Sequence, residues 1–137
     1  TIDVFKVIKM LLIHDIVEID AGDIVVYDIE NRENIKKIEE QAAQRIFGLL
    51  PSDQAQEMTQ LWHEFEQRTT SEAKFAAALD RIEPILQNFY THGYTWKKYQ
   101  IPLEKILATN QHIEQGSVDL WETIEQMIQE TFIKHIG

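Results

Sequence analysis

The run Leu12-Ile13-His14-Asp15-Ile16-Val17-Glu18-Ile19-Asp20-Ala21-Gly22-Asp23 sets a histidine and several carboxylates among aliphatic residues. At about 100° per residue, Glu18 falls one helical turn beyond His14 and Asp15, so the three side chains share one side. Ionisable groups gathered at the end of an apolar helix are costly to desolvate unless a metal ion or partner charges compensate. The chemistry first indicated is therefore metal ligation.

These residues must be carried by helices, because helical periodicity runs from end to end. The first helix is expected over residues 2–18, largely buried through Ile2, Val4, Phe5, Val7, Ile8, Met10 and Leu11 to Ile13, and ending near Gly22, where a positive φ is available. Residues 23–31 read as a β-branched loop. A helix at 32–49 turns Ile35, Ile38, Ala42, Ile46 and Leu49 inward and is ended by Pro51. The next, 52–68, buries Met58, Leu61, Trp62 and Phe65. Thr69 with Glu72 makes a capping-box pattern for a helix running through Phe75, Leu79, Ile82 and Leu86 to Tyr90. Gly93 and the aromatic stretch from Tyr94 read as a connection, followed by helices at 102–115 and from Ser117 to Ile136. The expected fold is a single-domain, all-α bundle of about five to seven helices over residues 1–137.

Within the helix before Tyr90, Asp80 interrupts a stretch of alanine and leucine. Aspartate is a poor mid-helix residue and is rarely buried unpaired, so Asp80 is a candidate ligand. The ordinary alternatives are an ion pair with Lys74, Arg81 or Lys36, or a solvated position. Pro84 withdraws the donor for the Asp80 carbonyl and is expected to bend the helix there. The formal net charge of −10 argues against binding nucleic acid or an anionic membrane, although a bound cation can invert the local potential around a small phosphorylated ligand. No cysteine is present, which excludes disulfides and thiolate metal sites and suits a reducing cytosol. No run approaches the ~18 apolar residues of a membrane span, and no signal peptide is evident. A cytoplasmic protein is expected.

His14-Asp15 after an aliphatic helix, Glu18, Gly22-Asp23 and the later Leu79-Asp80 resemble the HD-domain metal-dependent phosphohydrolases. Within them the chain is most similar to the small 5′-deoxynucleotidases, whose second signature resembles the segment from Leu61 to Phe75 running into Asp80. The resemblance implies that His14, Asp15 and Asp80 are ligands of a divalent cation (Mn, Co, Mg, Zn or Fe). It implies that Glu18 and Asp23 act beside the scissile phosphate, one orienting water and the other helping the leaving oxygen. Otherwise Glu18 would merely orient His14, and Asp23 would cap a loop. The family's first ligand is a histidine on an earlier helix. None precedes His14 here, so that helix is expected upstream of Thr1.

The remaining histidines (His63, His92, His112 and His135) are expected at the surface, and Trp62, Trp96 and Trp121 in the core or at an interface. Lys74 and Arg81 could reach a phosphate, with helical ion pairing as the default. The leading expectation is hydrolysis of nucleoside 5′-monophosphates, with deoxy forms favoured. The rivals are a cyclic or pyrophosphorylated nucleotide as substrate, and a non-catalytic, metal-stabilised dimerisation domain. A homodimer is expected through Leu120, Trp121, Ile124, Met127, Ile128 and Phe132 on the last helix.

Overall fold

The structure is a computed structural model that describes residues 1–22 and 32–137. It is all-α, with no strand among the described residues, and divides into two compact units, Thr1–Gln67 and Arg68–Gly137.

In the first unit, α1 (Val4–Ile13) is started by Asp3, whose side chain accepts from the Lys6 amide at 3.1 Å. The expected single helix then tightens into a 3₁₀ turn at His14–Val17 before α2 (Glu18–Ala21). Gly22 ends α2 with φ at 79°, as its position predicts. Helices α3 (Arg32–Phe47) and α4 (Ser52–Gln67) complete the unit. Residues spaced by helical turns form its core: Val7, Met10, Ile13 and Val17 against Ala42, Ala43 and Phe47 of α3 and Leu61, Trp62 and Phe65 of α4. Expected burial fails at several positions. Val4, Phe5, Ile8 and Leu12 of α1 are exposed, because the stripe that α1 buries is Val7, Met10 and Ile13. Ile38 and Leu49 are exposed as well, Leu49 because α3 stops at Phe47.

In the second unit, α5 (Ser71–Tyr90) is capped by Thr70, not Thr69. The Thr70 hydroxyl accepts from the Ala73 amide at 3.2 Å, so the helix starts one residue later than the Thr69–Glu72 pattern suggests. It runs on through Pro84. Its deepest face is a stripe of small residues (Ala73, Ala76, Ala77 and Ala78) rather than the larger Phe75, Leu79, Ile82 and Leu86, which are half-buried. The expected connection after Gly93 is a short helix, α6 (Tyr94–Lys98). Buried Asn88 explains it: its Oδ1 accepts from the amides of Thr95 at 3.1 Å and Trp96 at 3.3 Å, doing from α5 the work of a cap. The helix expected at 102–115 is two, α7 (Leu103–Asn110) and α8 (Ile113–Gly116), divided by a turn at Gln111 and His112.

Helix α9 (Val118–Thr131) passes into a π-turn at Phe132–Ile136. The residues expected to form a dimer seam are in this unit's own core: Trp121, Ile124 and Ile128 are buried with Ile85, Trp96, Ile106 and Ile113, and Leu120, Met127 and Phe132 pack against them. The apolar face of α9 is consumed by α5, α7 and α8.

The small residues of α5 allow α8 to approach backbone to backbone. A Cβ built on Gly116 would lie 2.6 Å from the Lys74 carbonyl oxygen and 2.8 Å from the Ala78 Cβ. Backbone cannot swing aside as a flexible side chain does, so Gly116→Ala is expected to destabilise the protein by about 1–3 kcal/mol. Urea unfolding of the two forms measures this, and an unchanged midpoint would refute the close-packed seam.

Candidate metal centre

His14 and Asp15 occupy the 3₁₀ turn where α1 ends. The Nδ1–H of His14 donates to the Leu11 carbonyl at 2.8 Å, using one of the acceptors that a helix leaves without a partner in its last turn. The Phe65 ring lies against the imidazole with centroids 4.7 Å apart. The imidazole is mostly enclosed, at 13% exposure, whereas the neighbouring Asp15 carboxylate is 68% exposed.

The Nδ1–H bond turns Nε2 toward Oδ1 of Asp15, 3.0 Å away. That spacing is bridged by the second proton of an imidazolium or by a cation that both atoms bind. Two neighbouring donors bound to one octahedral ion at about 2.1 Å stand roughly 3 Å apart. The pair therefore fits a divalent cation in both chemistry and spacing.

Glu18 opens α2 as an exposed residue. The 3₁₀ turn advances about 120° per residue, so Glu18 does not stack above His14 as a continuous α-helix would have it. Two residues on, Asp20 receives the guanidinium of Arg45 from α3, with Nη2 2.7 Å from Oδ1. That bond holds the Asp20 carboxyl below its ordinary range. Asp23 lies outside the described residues, as does the expected loop at 23–31.

Asp80 belongs to the second unit, on the exposed side of α5. Its neighbour Arg81 donates from Nε to Oδ1 of buried Asn110 at 2.9 Å, and Asn110 in turn donates to the Ile106 carbonyl at 2.7 Å. His112 is half-buried rather than a surface residue. Burial chiefly pushes its pKa down, and the charges of Arg68 and Arg81 act the same way against the Thr109 carbonyl and Asp80. Arg68, Arg81 and Asp80 are thus all within electrostatic reach of His112. Among the described residues, no three His, Asp or Glu side chains are grouped as a metal cage.

The HD domain family model matches residues 1–121, running through both units. The chain belongs to the HD domain family. This HD domain is 44% identical to a predicted metal-dependent phosphohydrolase from Magnetospirillum magnetotacticum MS-1, whose crystal structure matches with a TM-score of 0.86 over 96% of this chain and 67% of that one. It is 40% identical over 82 residues to the 5′-deoxynucleotidase HDDC2 of Mus musculus, covering 60% of this chain and 41% of that protein. It is 35% identical over 103 residues to the HDDC2 of Dictyostelium discoideum, covering 75% of this chain and 52% of the relative. The matched stretch thus spans about half or less of each of these two curated relatives.

His63 of this HD domain lies at the surface, as expected, and is paired there. Its Nε2 lies 2.8 Å from Oε2 of Glu40, beside a cleft of about 380 Å³ that Glu39, Trp62 and Glu66 also line. No local pattern could announce this pair, because its members stand on different helices. The His63 hydrogen bond holds the Glu40 carboxyl below its ordinary value of 4.5, whereas burial and then the charge of Glu66 push Glu39 up. A lowered carboxylate contributes stability above its unfolded-state pKa and loses it as pH falls through the folded-state value. Glu40→Gln is therefore expected to cost about 0.2–1 kcal/mol at neutral pH, the range for exposed pairs. The difference should close as pH drops below 4.5. Denaturant melts of both proteins across that range measure it, and a gap that persists in acid would contradict the assignment.

Proposed function

We propose that this HD domain hydrolyses the phosphate ester of nucleoside 5′-monophosphates, deoxynucleotides in particular, using a divalent cation held by His14, Asp15 and Asp80. The observation that carries the reading is the His14–Asp15 step, where imidazole Nε2 and carboxylate Oδ1 stand 3.0 Å apart, a spacing that one divalent cation bound to both would give. The relatives named 5′-deoxynucleotidase and the solved metal-dependent phosphohydrolase support the same class.

A bound divalent cation draws charge from a phosphoryl oxygen and makes water beside it more acidic. The protein's own groups supply the rest. His14 would ligate through Nε2, because its Nδ1–H is donated to the Leu11 carbonyl, which fixes the ring's orientation. Glu18 and Asp23 are assigned to proton handling, one orienting the attacking water and the other assisting the departing ribose oxygen. Arg81, steadied by buried Asn110, contributes positive charge on the Asp80 side, where an anionic phosphate needs it in a chain of net charge −10.

The test is phosphate release from a panel of nucleotides with divalent cations added or chelated. Release from deoxynucleoside 5′-monophosphates, abolished by chelation and reduced at least 100-fold by Asp80→Ala, is the expected result. Glu18→Ala and Asp23→Ala should lower turnover while metal content, read by atomic absorption, stays near that of the parent. Release only from cyclic or pyrophosphorylated nucleotides would move the substrate class. Loss of metal in Glu18→Ala would make Glu18 a ligand, and a metal-loaded protein that hydrolyses none of these would end the enzymatic reading.

A further inference from the structure

The second unit carries a pair of histidines that the proposed hydrolysis does not use. His92 follows the last turn of α5, and His135 lies on the π-turn beyond α9. Their ring centroids are 4.3 Å apart, with the planes tilted by 39°. Both side an open cleft of about 160 Å³ that Phe89, Tyr90, Glu130 and Lys134 also line.

The approach of the two rings is imposed by packing around them. The next residue, Gly93, lies at φ 74°, and a Cβ there would stand 2.6 Å from Cδ1 of Ile136, so Ile136 is seated directly on the glycine. Phe132 stacks on Trp96 with centroids 5.8 Å apart. These two contacts fix the π-turn to the corner between α5 and α6 on either side of His135. His92 itself is held at φ 56°, a left-handed conformation that few residues other than glycine adopt.

We propose that His92 and His135 form a second metal site, a surface clamp for a borderline divalent transition ion such as Zn²⁺, Ni²⁺ or Cu²⁺. Two imidazoles bound side by side to one ion at about 2.1 Å have ring centres roughly 4.5–5 Å apart, close to the spacing the fold imposes. Imidazole donors without hard carboxylates favour these ions over Mg²⁺ or Ca²⁺. Glu130 is engaged by Lys134 and is not counted as a ligand, so water fills the remaining positions. The bound ion would fasten the π-turn to the α5–α6 corner.

The experiment is calorimetric titration of the metal-stripped protein with Ni²⁺ and Zn²⁺, repeated on His135→Gln, His92→Asn and Asp80→Ala. His135 is exposed, and asparagine tolerates the left-handed backbone at 92, so both histidine variants should keep the native circular dichroism spectrum. The expected result is one site weakened at least tenfold by either histidine variant and unaffected by Asp80→Ala. Saturating Ni²⁺ should raise the melting temperature of the parent more than that of His135→Gln. An unchanged isotherm in His135→Gln, a site lost in Asp80→Ala but kept in the histidine variants, or no binding beyond the Asp80-dependent ion would each overturn the proposal. Failure of the phosphohydrolase reading would leave this site standing, since its ion survives Asp80→Ala.

Discussion

The proposed centre depends first on the hydrogen bond from His14 Nδ1 to the Leu11 carbonyl. Without it the imidazole could turn, and Nε2 would no longer face Oδ1 of Asp15. The bond exists because α1 ends where it does. A continuous helix would have used the carbonyls of its last turn internally, whereas the passage into a 3₁₀ turn leaves one for the side chain. Buried Ile13 and Val17 bracket the turn and anchor it in the first unit's core, so the geometry at His14 is set by apolar packing before any ion arrives.

Polar contacts at the surface refine this arrangement. Lys6 pairs with Glu64 at 2.7 Å and Lys9 with Glu57, tying α1 to α4, the helix whose Phe65 supports the imidazole. Exposed ion pairs are individually weak, so their role is orientation more than stability. The second unit relies instead on buried amides. Asn88 and Asn110 each donate to a carbonyl one turn earlier in their own helix and turn their oxygens outward, to the start of α6 and to Arg81 respectively. Replacing either by leucine would leave those donors unanswered in a buried setting.

The all-α class and the spans of α3, α4 and α5 were legible because helical periodicity is repeated over many residues and its ends carry Pro51 and Gly93, although the cap of α5 is Thr70 where the pattern pointed to Thr69. The His14–Asp15 pair was legible because both residues are adjacent in the chain. What the sequence concealed depends on distant partners. α6 exists through Asn88, His63 finds Glu40 across two helices, and the apolar face of α9 is matched by α5, α7 and α8 within its own unit. Amphipathicity says that a face will be covered but not by what, so the same pattern served equally well for a core and for a dimer seam. The 3₁₀ turn was hidden for a different reason, since its hydrogen-bond register differs from that of an α-helix by only one residue.

The seam between α5 and α8 has a thermal and evolutionary consequence. Alanine and glycine have no rotamers, so this contact is ordered without loss of side-chain freedom and holds no soft degree of freedom to absorb displacement. Larger core residues can exchange volume with their neighbours as sequences drift, but Ala78 and Gly116 can only stay as small as they are. On warming, such a contact has little capacity to loosen gradually. The helix that carries Asp80 should keep its rotation and register beside α8 until the unit melts as a whole, an all-or-none positioning that gives Asp80 a constant address as the temperature rises.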